Sequence, residues 1–185
     1  MKLLALDTSS VACSVALQLG DTVLERHEEQ PREHTRLLMP MIRSLLDESA
    51  TGLEDLDAIV LGNGPGSFIG MRIAASVAQG LAFASRLPVV PVSSLEAVAG
   101  EVFDDSNVRE VVVAQDAHMN EVYLGLFELD GDGSVTAKVP ERLHRLTVEF
   151  LETGTQLSFR PFVMDDGFIR MELNPKDSDG GVVVS

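Results

Sequence analysis

The apolar run Ala58-Ile59-Val60-Leu61 opens directly into Gly62-Asn63-Gly64-Pro65-Gly66-Ser67-Phe68-Ile69-Gly70-Met71-Arg72, and Ile73-Ala74-Ala75-Ser76-Val77-Ala78 follows. This order reads as a strand, a glycine-rich turn and the start of a helix, which commits the middle of the chain to an α/β arrangement. Four glycines among nine residues, Gly62, Gly64, Gly66 and Gly70, permit positive φ and close approach by another backbone or a ligand. Pro65 stiffens the turn. A loop of this kind at a helix N-terminus offers unpaired N–H groups to an anion. The familiar phosphate motifs nonetheless fail residue by residue. Gly70 is followed by Met71 where a P-loop requires Lys, and Gly64-Pro65-Gly66 is followed by Ile69 where a dinucleotide fingerprint requires a third Gly. An unspecific glycine turn therefore stands beside the anion-binding reading.

Ahead of this loop, residues 2–6 form a short apolar strand ending at Asp7, followed by the polar turn Thr8-Ser9-Ser10. Residues 11–19 alternate as a half-buried strand does, and Gly20-Asp21 turns the chain into a third strand over 22–28. From 33 to 49, Leu37, Leu38, Met41, Ile42, Leu45 and Leu46 recur at helical spacing as one apolar stripe, whose simplest role is core packing. Pro40 inside it costs about 3 kcal/mol, which predicts a kink or a late helix start unless packing compensates. Beyond the loop, 72–85 reads as a helix with small residues on several faces, expected to be central and buried. Residues 87–92 read as a strand, and Ser93-Ser94-Leu95-Glu96 as the cap of a helix reaching about Val102.

The acidic and polar stretch 104–107 marks the expected lobe boundary, giving lobes 1–103 and 108–185. The pattern then restarts. Val111-Val112-Val113-Ala114-Gln115-Asp116 repeats the apolar strand ending in aspartate, 121–129 reads as the next strand, and Gly131-Asp132-Gly133 turns as Gly20-Asp21 does. This predicts a duplicated two-lobe fold with an aspartate at matching places on each side of a cleft. Residues 150–171 show no clear period, and Asn174-Pro175-Lys176-Asp177-Ser178-Asp179-Gly180-Gly181 is composed like a flexible tail. From about residue 147 the second lobe is expected to be shortened, divergent or altered.

Fourteen Lys and Arg against 29 Asp and Glu leave a net charge of −15, with the acids spread along the chain. Nucleic-acid affinity rests on Lys and Arg clusters, so direct, tight RNA binding is not expected. An acidic surface suits docking to a more basic protein. No apolar run approaches membrane-spanning length and no signal peptide opens the chain, so a cytoplasmic protein is expected. The single cysteine, Cys13, lies in an apolar alternation and reads as a small core residue. His27 and His34 match no zinc spacing and read as surface residues, and the four histidines contain no pair one helical turn apart.

The glycine loop also carries a resemblance. Gly64-Pro65-Gly66-Ser67-Phe68-Ile69-Gly70-Met71-Arg72-Ile73 resembles the GPGSFTGLRI signature of the TsaB (YeaZ) family, with Ile69 in place of Thr and Met71 in place of Leu. The opening Leu4-Ala5-Leu6-Asp7-Thr8-Ser9-Ser10 agrees, and Asp116-Ala117-His118-Met119-Asn120-Glu121-Val122-Tyr123 resembles that family's DARMxEVY, with His118 in place of Arg. The three blocks cover residues 1 to about 130. The resemblance implies the actin-like ATPase fold (ASKHA, ribonuclease-H-like) and a non-catalytic scaffold that binds and activates the catalytic TsaD-type subunit. That complex, with a TsaE-type ATPase, makes N6-threonylcarbamoyladenosine at tRNA position 37. In such proteins this first helix and the one after the glycine loop meet partner subunits. The resemblance thus implies a partner interface at Leu38, Met41, Ile42, Leu45 and Arg72, a homodimer when unpartnered, contact with tRNA only through the complex, and no membrane.

Paired cleft aspartates bind metal or orient phosphates in actin-like kinases, so Asp7 and Asp116 are the candidates for intrinsic chemistry. Kinase work needs glycine in the turn after each aspartate, and neither Thr8-Ser9-Ser10 nor Ala117-His118-Met119 contains one. Asp7, Thr8, Ser9, Gly64, Gly66, Ser67 and Asp116 accordingly read as a degenerate nucleotide cleft, with no cofactor, metal or catalytic residue. Ser67 is outside a nucleophile elbow and reads as a helix cap. Arg72 pairs with a partner carboxylate or closes an internal bridge to Asp7 or Asp116. The alternative is a stand-alone phosphotransferase, or a metal-dependent hydrolase or peptidase, using Asp7 and Asp116.

Overall fold

The computed structural model describes residues 1–119, 121–145, 160–163, 169–172 and 181–184. The chain divides into two compact units, Met1–Ser94 and Leu95–Ser185.

In the first unit, β1 (Lys2–Asp7), β2 (Cys13–Leu19) and β3 (Thr22–Glu28) form the antiparallel meander, and β4 (Ala58–Gly62) and β5 (Val89–Val92) extend it in parallel. The strand order is β3-β2-β1-β4-β5. Two helices, α1 (His34–Glu48) and α2 (Phe68–Ser85), provide the connections into the parallel part. They pack on one core with the inward residues of the strands, Leu4 and Leu6 of β1, Val15 and Leu17 of β2, and Ile59 and Leu61 of β4. Alternation along each strand decides which side chains these are, because successive residues point to opposite faces.

Helix α1 continues through Pro40 from His34 to Glu48, so neither a late start nor a break occurs. Pro40 is exposed, and its neighbours Leu38, Met41, Ile42 and Leu45 are buried. Burying four such side chains contributes about 1.5–3 kcal/mol each, which outweighs the roughly 3 kcal/mol penalty of one interior proline. Helix α2 also differs from expectation. It begins at Phe68, because the Ser67 side chain caps it by accepting from the Gly70 N–H, and it is not buried all round. Its buried residues are Gly70, Ala74, Ala78 and Ala82, one i, i+4 stripe that lets the backbone lie close to the sheet, while Phe68, Ile69 and Phe83 are exposed. By length and composition this 18-residue helix is apolar enough to cross a membrane, which the sequence reading did not anticipate. In the fold it is the crossover between the parallel strands β4 and β5.

The second unit contains α3 (Ser94–Asp105, beginning at the boundary), β6 (Glu110–His118), β7 (Glu121–Leu129), β8 (Val135–Arg145), β9 (Arg160–Val163), β10 (Ile169–Glu172) and β11 (Gly181–Val184). Its sheet has the order β8-β7-β6-β11-β10-β9. β6, β7 and β8 form an antiparallel meander and β11 lies parallel to β6, pairing Gly181 with Val111 and Val184 with Ala114. The order β8-β7-β6-β11 therefore repeats β3-β2-β1-β4, in direction as well as in sequence of pairing. Division of the chain falls before α3 rather than at 104–107, because Leu95, Ala99 and Phe103 of α3 pack with Val111, Val113 and Phe127. The tail-like composition of 174–180 lies outside the described residues, whereas Gly181 opens a strand.

Leu45, fully buried, anchors α1 to the sheet. Leu45→Ala is expected to lower unfolding free energy by about 2–5 kcal/mol in urea titration. Pro40→Ala is expected to raise it by about 2 kcal/mol, since alanine restores the donor for the Arg36 carbonyl at some gain in unfolded-chain freedom.

Candidate functional site

The ends of β1 and β4 are neighbours in the sheet, so the turn after Asp7 and the loop after Gly62 leave it side by side. Three glycines of the loop face that turn. A Cβ on Gly62 would overlap the Asp7 carboxylate, one on Gly66 the Ser9 backbone, and one on Gly70 the Thr8 carbonyl oxygen. Gly64 meets a different need, with φ at 80° and the Met71 thioether where its Cβ would lie. The glycine spacing thus serves contact with Asp7-Thr8-Ser9.

Hydrogen bonds lock this contact. The Thr8 hydroxyl, fully buried, donates to the Gly70 carbonyl at 2.7 Å, and the Ser67 N–H donates to the Ser9 carbonyl at 2.5 Å. Asp7 Oδ1 accepts from the Ser9 N–H at 2.7 Å and from the Ser9 hydroxyl at 2.8 Å. Because that hydroxyl's one hydrogen goes to Asp7, its 3.1 Å contact with Ser94 is a bond donated by the Ser94 hydroxyl. The Ser94 N–H donates to the Gly64 carbonyl at 2.8 Å, tying the loop to the second residue after β5. At the start of α2, the Gly70 N–H is taken by the Ser67 hydroxyl at 3.2 Å and the Met71 N–H by the Ser67 carbonyl at 2.8 Å. The N–H groups of Ser67, Gly70 and Met71 are therefore engaged within the chain rather than presented to an anion.

Asp116 closes its turn in the same way, its Oδ1 accepting from the His118 N–H at 2.8 Å. β1 ends at Asp7 as expected, whereas β6 runs two residues past Asp116 to His118, with a register shift between them. In both units the aspartate nonetheless bonds the N–H two residues on, as aspartate does in an Asx-turn. His118 Nδ1 also lies 3.4 Å from Asp116 Oδ2, both side chains being mostly exposed. Positive φ at His118 and Met119, 62° and 54°, completes the reversal between β6 and β7. Among the described residues no three His, Cys, Asp or Glu side chains gather as metal ligands would.

Other expected site residues fall differently. Met41, Ile42 and Leu45 are buried in the core of the first unit, so they cover their own sheet and are not a free edge. Leu38 is buried too, yet it lines a groove of about 460 Å³ between α1 and α2, together with Thr35, Met39, Ile69, Arg72, Ile73, Ser76 and Val77. Arg72 stacks on the Phe68 ring, 3.7 Å from its centroid, and among the described residues it makes no ion pair with Asp7. Ile69 is 70% exposed and Phe68 63%. Inspection of the sequence missed Phe68, Ile69, Ile73 and Val77, whose signal was available: they flank the Gly70-Ala74-Ala78-Ala82 stripe on a helix with apolar residues left over. His34 is buried rather than on the surface, its Nε2 bonded with the Ser10 carbonyl at 3.2 Å.

Two α/β units with a repeated meander-plus-parallel-strand sheet, each with an aspartate at or near the end of its first strand, define the actin-like class of α/β proteins. The family model described as TsaD, tRNA N6-adenosine threonylcarbamoyltransferase, matches residues 22–148. The Escherichia coli tRNA threonylcarbamoyladenosine biosynthesis protein TsaB is 39% identical over 165 residues, covering 84% of this chain and 71% of that protein. Its Haemophilus influenzae counterpart is 49% identical over 123 residues, covering 66% of this chain. Only 52% of that relative is matched, so the chain spans about half its length. YeaZ from Pseudomonas aeruginosa superposes with a TM-score of 0.72 at 45% identity, covering 77% of this chain and 66% of that one. The chain belongs to the TsaB (YeaZ) family, whose Escherichia coli and Haemophilus influenzae members are tRNA threonylcarbamoyladenosine biosynthesis proteins.

Two expectations follow from the packing. Gly70→Ala is expected to destabilise the protein by about 2 kcal/mol or more, because the Thr8 carbonyl occupies the methyl position. Gly80→Ala, in the same helix with open space around it, is expected to stabilise by up to about 1 kcal/mol in thermal unfolding. Burial, and secondarily the charge of Asp7, pushes the Cys13 thiol up from its ordinary value. Cys13 is expected to resist disulfide-exchange reagents at pH 8 until urea unfolds the chain. Its contribution to stability is complete below the ordinary thiol range and declines as pH rises through the raised value.

Proposed function

We propose that this chain is a non-catalytic scaffold that binds and activates the catalytic TsaD-type subunit for N6-threonylcarbamoyladenosine formation at tRNA position 37. The groove between α1 and α2 is its docking face. The observation carrying this reading is that exposed Ile69 and Arg72 line an apolar groove, with exposed Phe68 stacked under Arg72, on a helix turn held from below by Thr8 and Ser9. Exposed, contiguous apolar surface next to an arginine stacked on an aromatic ring has the composition of an interface hot spot. Without the catalytic subunit, the same groove pairs with a second copy of the chain. A TsaE-type ATPase completes the assembly in the cytoplasm. The net charge of −15 disfavours holding tRNA alone, so the RNA is reached through the complex.

The non-catalytic assignment is supported by what the two aspartates are doing. Each commits Oδ1 to its own turn, and the loop beside Asp7 has its close-approach positions filled by the Asp7 carboxylate, the Met71 thioether and the Thr8 and Ser9 backbone. Both facts give these aspartates a structural reason to be where they are.

The test is reconstitution of tRNA modification with the TsaD-type subunit, the TsaE-type ATPase and this chain, leaving each out in turn. Modification is expected to require the chain. The Asp7→Asn/Asp116→Asn double variant keeps an oxygen acceptor in each turn and is expected to retain most activity, whereas Ile69→Glu is expected to weaken the complex at least tenfold. A folded double variant that binds normally but supports no modification would transfer the chemistry to this chain.

A further inference from the structure

The contacts beneath α2 extend the docking reading, on which this inference rests. We infer that Thr8 and Ser9 are positioning residues for the docking face, so that the turn after Asp7 has the task of fixing the first turn of α2 for its partner. Thr8 makes no contact in the groove. Its hydroxyl is wholly buried and donates to the carbonyl of Gly70, which is in the first turn of α2. Ser9 holds the residue before the helix through its carbonyl, bonded by the Ser67 N–H, and is itself held by Asp7 Oδ1 on one side and Ser94 on the other.

These bonds straddle the exposed pair. Ser67 and Gly70 are anchored to the turn, while Phe68 and Ile69 between them project outward, 63% and 70% exposed. The absence of a Cβ on Gly70 lets the Thr8 backbone come close enough for the hydroxyl bond to form, so the glycine and the threonine act together. Arg72 then follows one turn after Phe68 and stacks on its ring. Ordering a rotamer-rich side chain on binding costs affinity, and a helix start fixed beforehand reduces that cost. The threonine hydroxyl therefore acts on partner binding through Gly70 rather than by touching the partner.

The experiment compares Thr8→Val, which keeps the shape and loses the hydroxyl, with Thr8→Ser, which keeps the hydroxyl. Two readouts are affinity for the TsaD-type subunit by calorimetry and amide hydrogen exchange at Gly70 and Met71 in the unpartnered chain. Thr8→Val is expected to weaken binding roughly five- to tenfold, the worth of about one hydrogen bond, and to speed exchange at these amides. Thr8→Ser is expected to restore both to within about twofold. A core variant of matched stability loss, Leu17→Val, should leave affinity unchanged if the effect is positional. Should Thr8→Val fail to fold, Ser9→Ala carries the same expectation at about threefold, since it removes the hydroxyl bonds to Asp7 and Ser94 and leaves the turn held to Asp7 only through the Ser9 N–H. Unchanged affinity in Thr8→Val, with binding lost in Ile69→Glu, would overturn the positioning role and leave the docking face intact. Wild-type affinity in Ile69→Glu would instead remove the docking face, and the positioning role with it.

Discussion

Everything in the first unit that bears on function depends on one close approach, that of the glycine loop to the turn after Asp7. Parallel pairing of β1 with β4 puts the two strand ends together, and the chain must then leave both strands through the same small volume. Side chains at Gly62, Gly66 and Gly70 would collide with Asp7, Ser9 and Thr8 respectively, so only glycine allows both segments to pass. The backbone polar groups this brings out of water are paired in place, through Ser67 to Ser9 and Thr8 to Gly70, which keeps the approach from being costly. The start of α2 is set there, and with it the groove against α1.

That geometry also explains why a glycine-rich loop at a helix N-terminus can be something other than an anion site. Donors that a phosphate would need at Ser67, Gly70 and Met71 are spent on neighbouring oxygens of the chain. The paired aspartates follow the same logic. An aspartate near a strand end that accepts the N–H two residues on is a turn-former first, and the device recurs at Asp7 and Asp116. Where a duplicated fold carries aspartates at matching places, the local hydrogen bonds weigh on their meaning as much as the pairing does.

The amount that could be read from sequence followed the strength of the local signal. Strands β1 to β4, helix α1 and the repeat beginning at Glu110 were legible because alternation and the 3.6-residue stripe are written in strongly apolar residues. Strand β8 was not, because Pro140 and two register shifts against β7 interrupt its alternation. The start of α2 was placed late although Ser67 read as its cap, because Phe68 and Ile69 look like loop residues next to so many glycines. The candidate site divided similarly. Asp7, Thr8, Ser9, Ser67 and the glycines were identified by pattern, but not their contacts, since Thr8 and Gly70 lie 62 residues apart. The apolar stripe of α1 read as core packing by its period, while the partner edge at Leu38, Met41, Ile42 and Leu45 came from the resemblance alone.

The division between buried and exposed apolar surface on α2 carries the functional consequence. One face is reduced to Gly70, Ala74, Ala78 and Ala82, small enough to seat the helix directly on the sheet, and this leaves the larger apolar residues nowhere to go but outward or sideways toward α1. A helix serving only as a crossover between β4 and β5 would gain by making Phe68, Ile69 and Phe83 polar, since each is exposed by more than half. Their retention alongside so acidic a chain fits a surface covered by a partner in use. In the proposed role the acidic charge keeps nucleic acid at a distance, while the groove supplies the short-range attraction that charge alone cannot. The two properties are then complementary: one sets which molecules approach, and the other holds the one that fits.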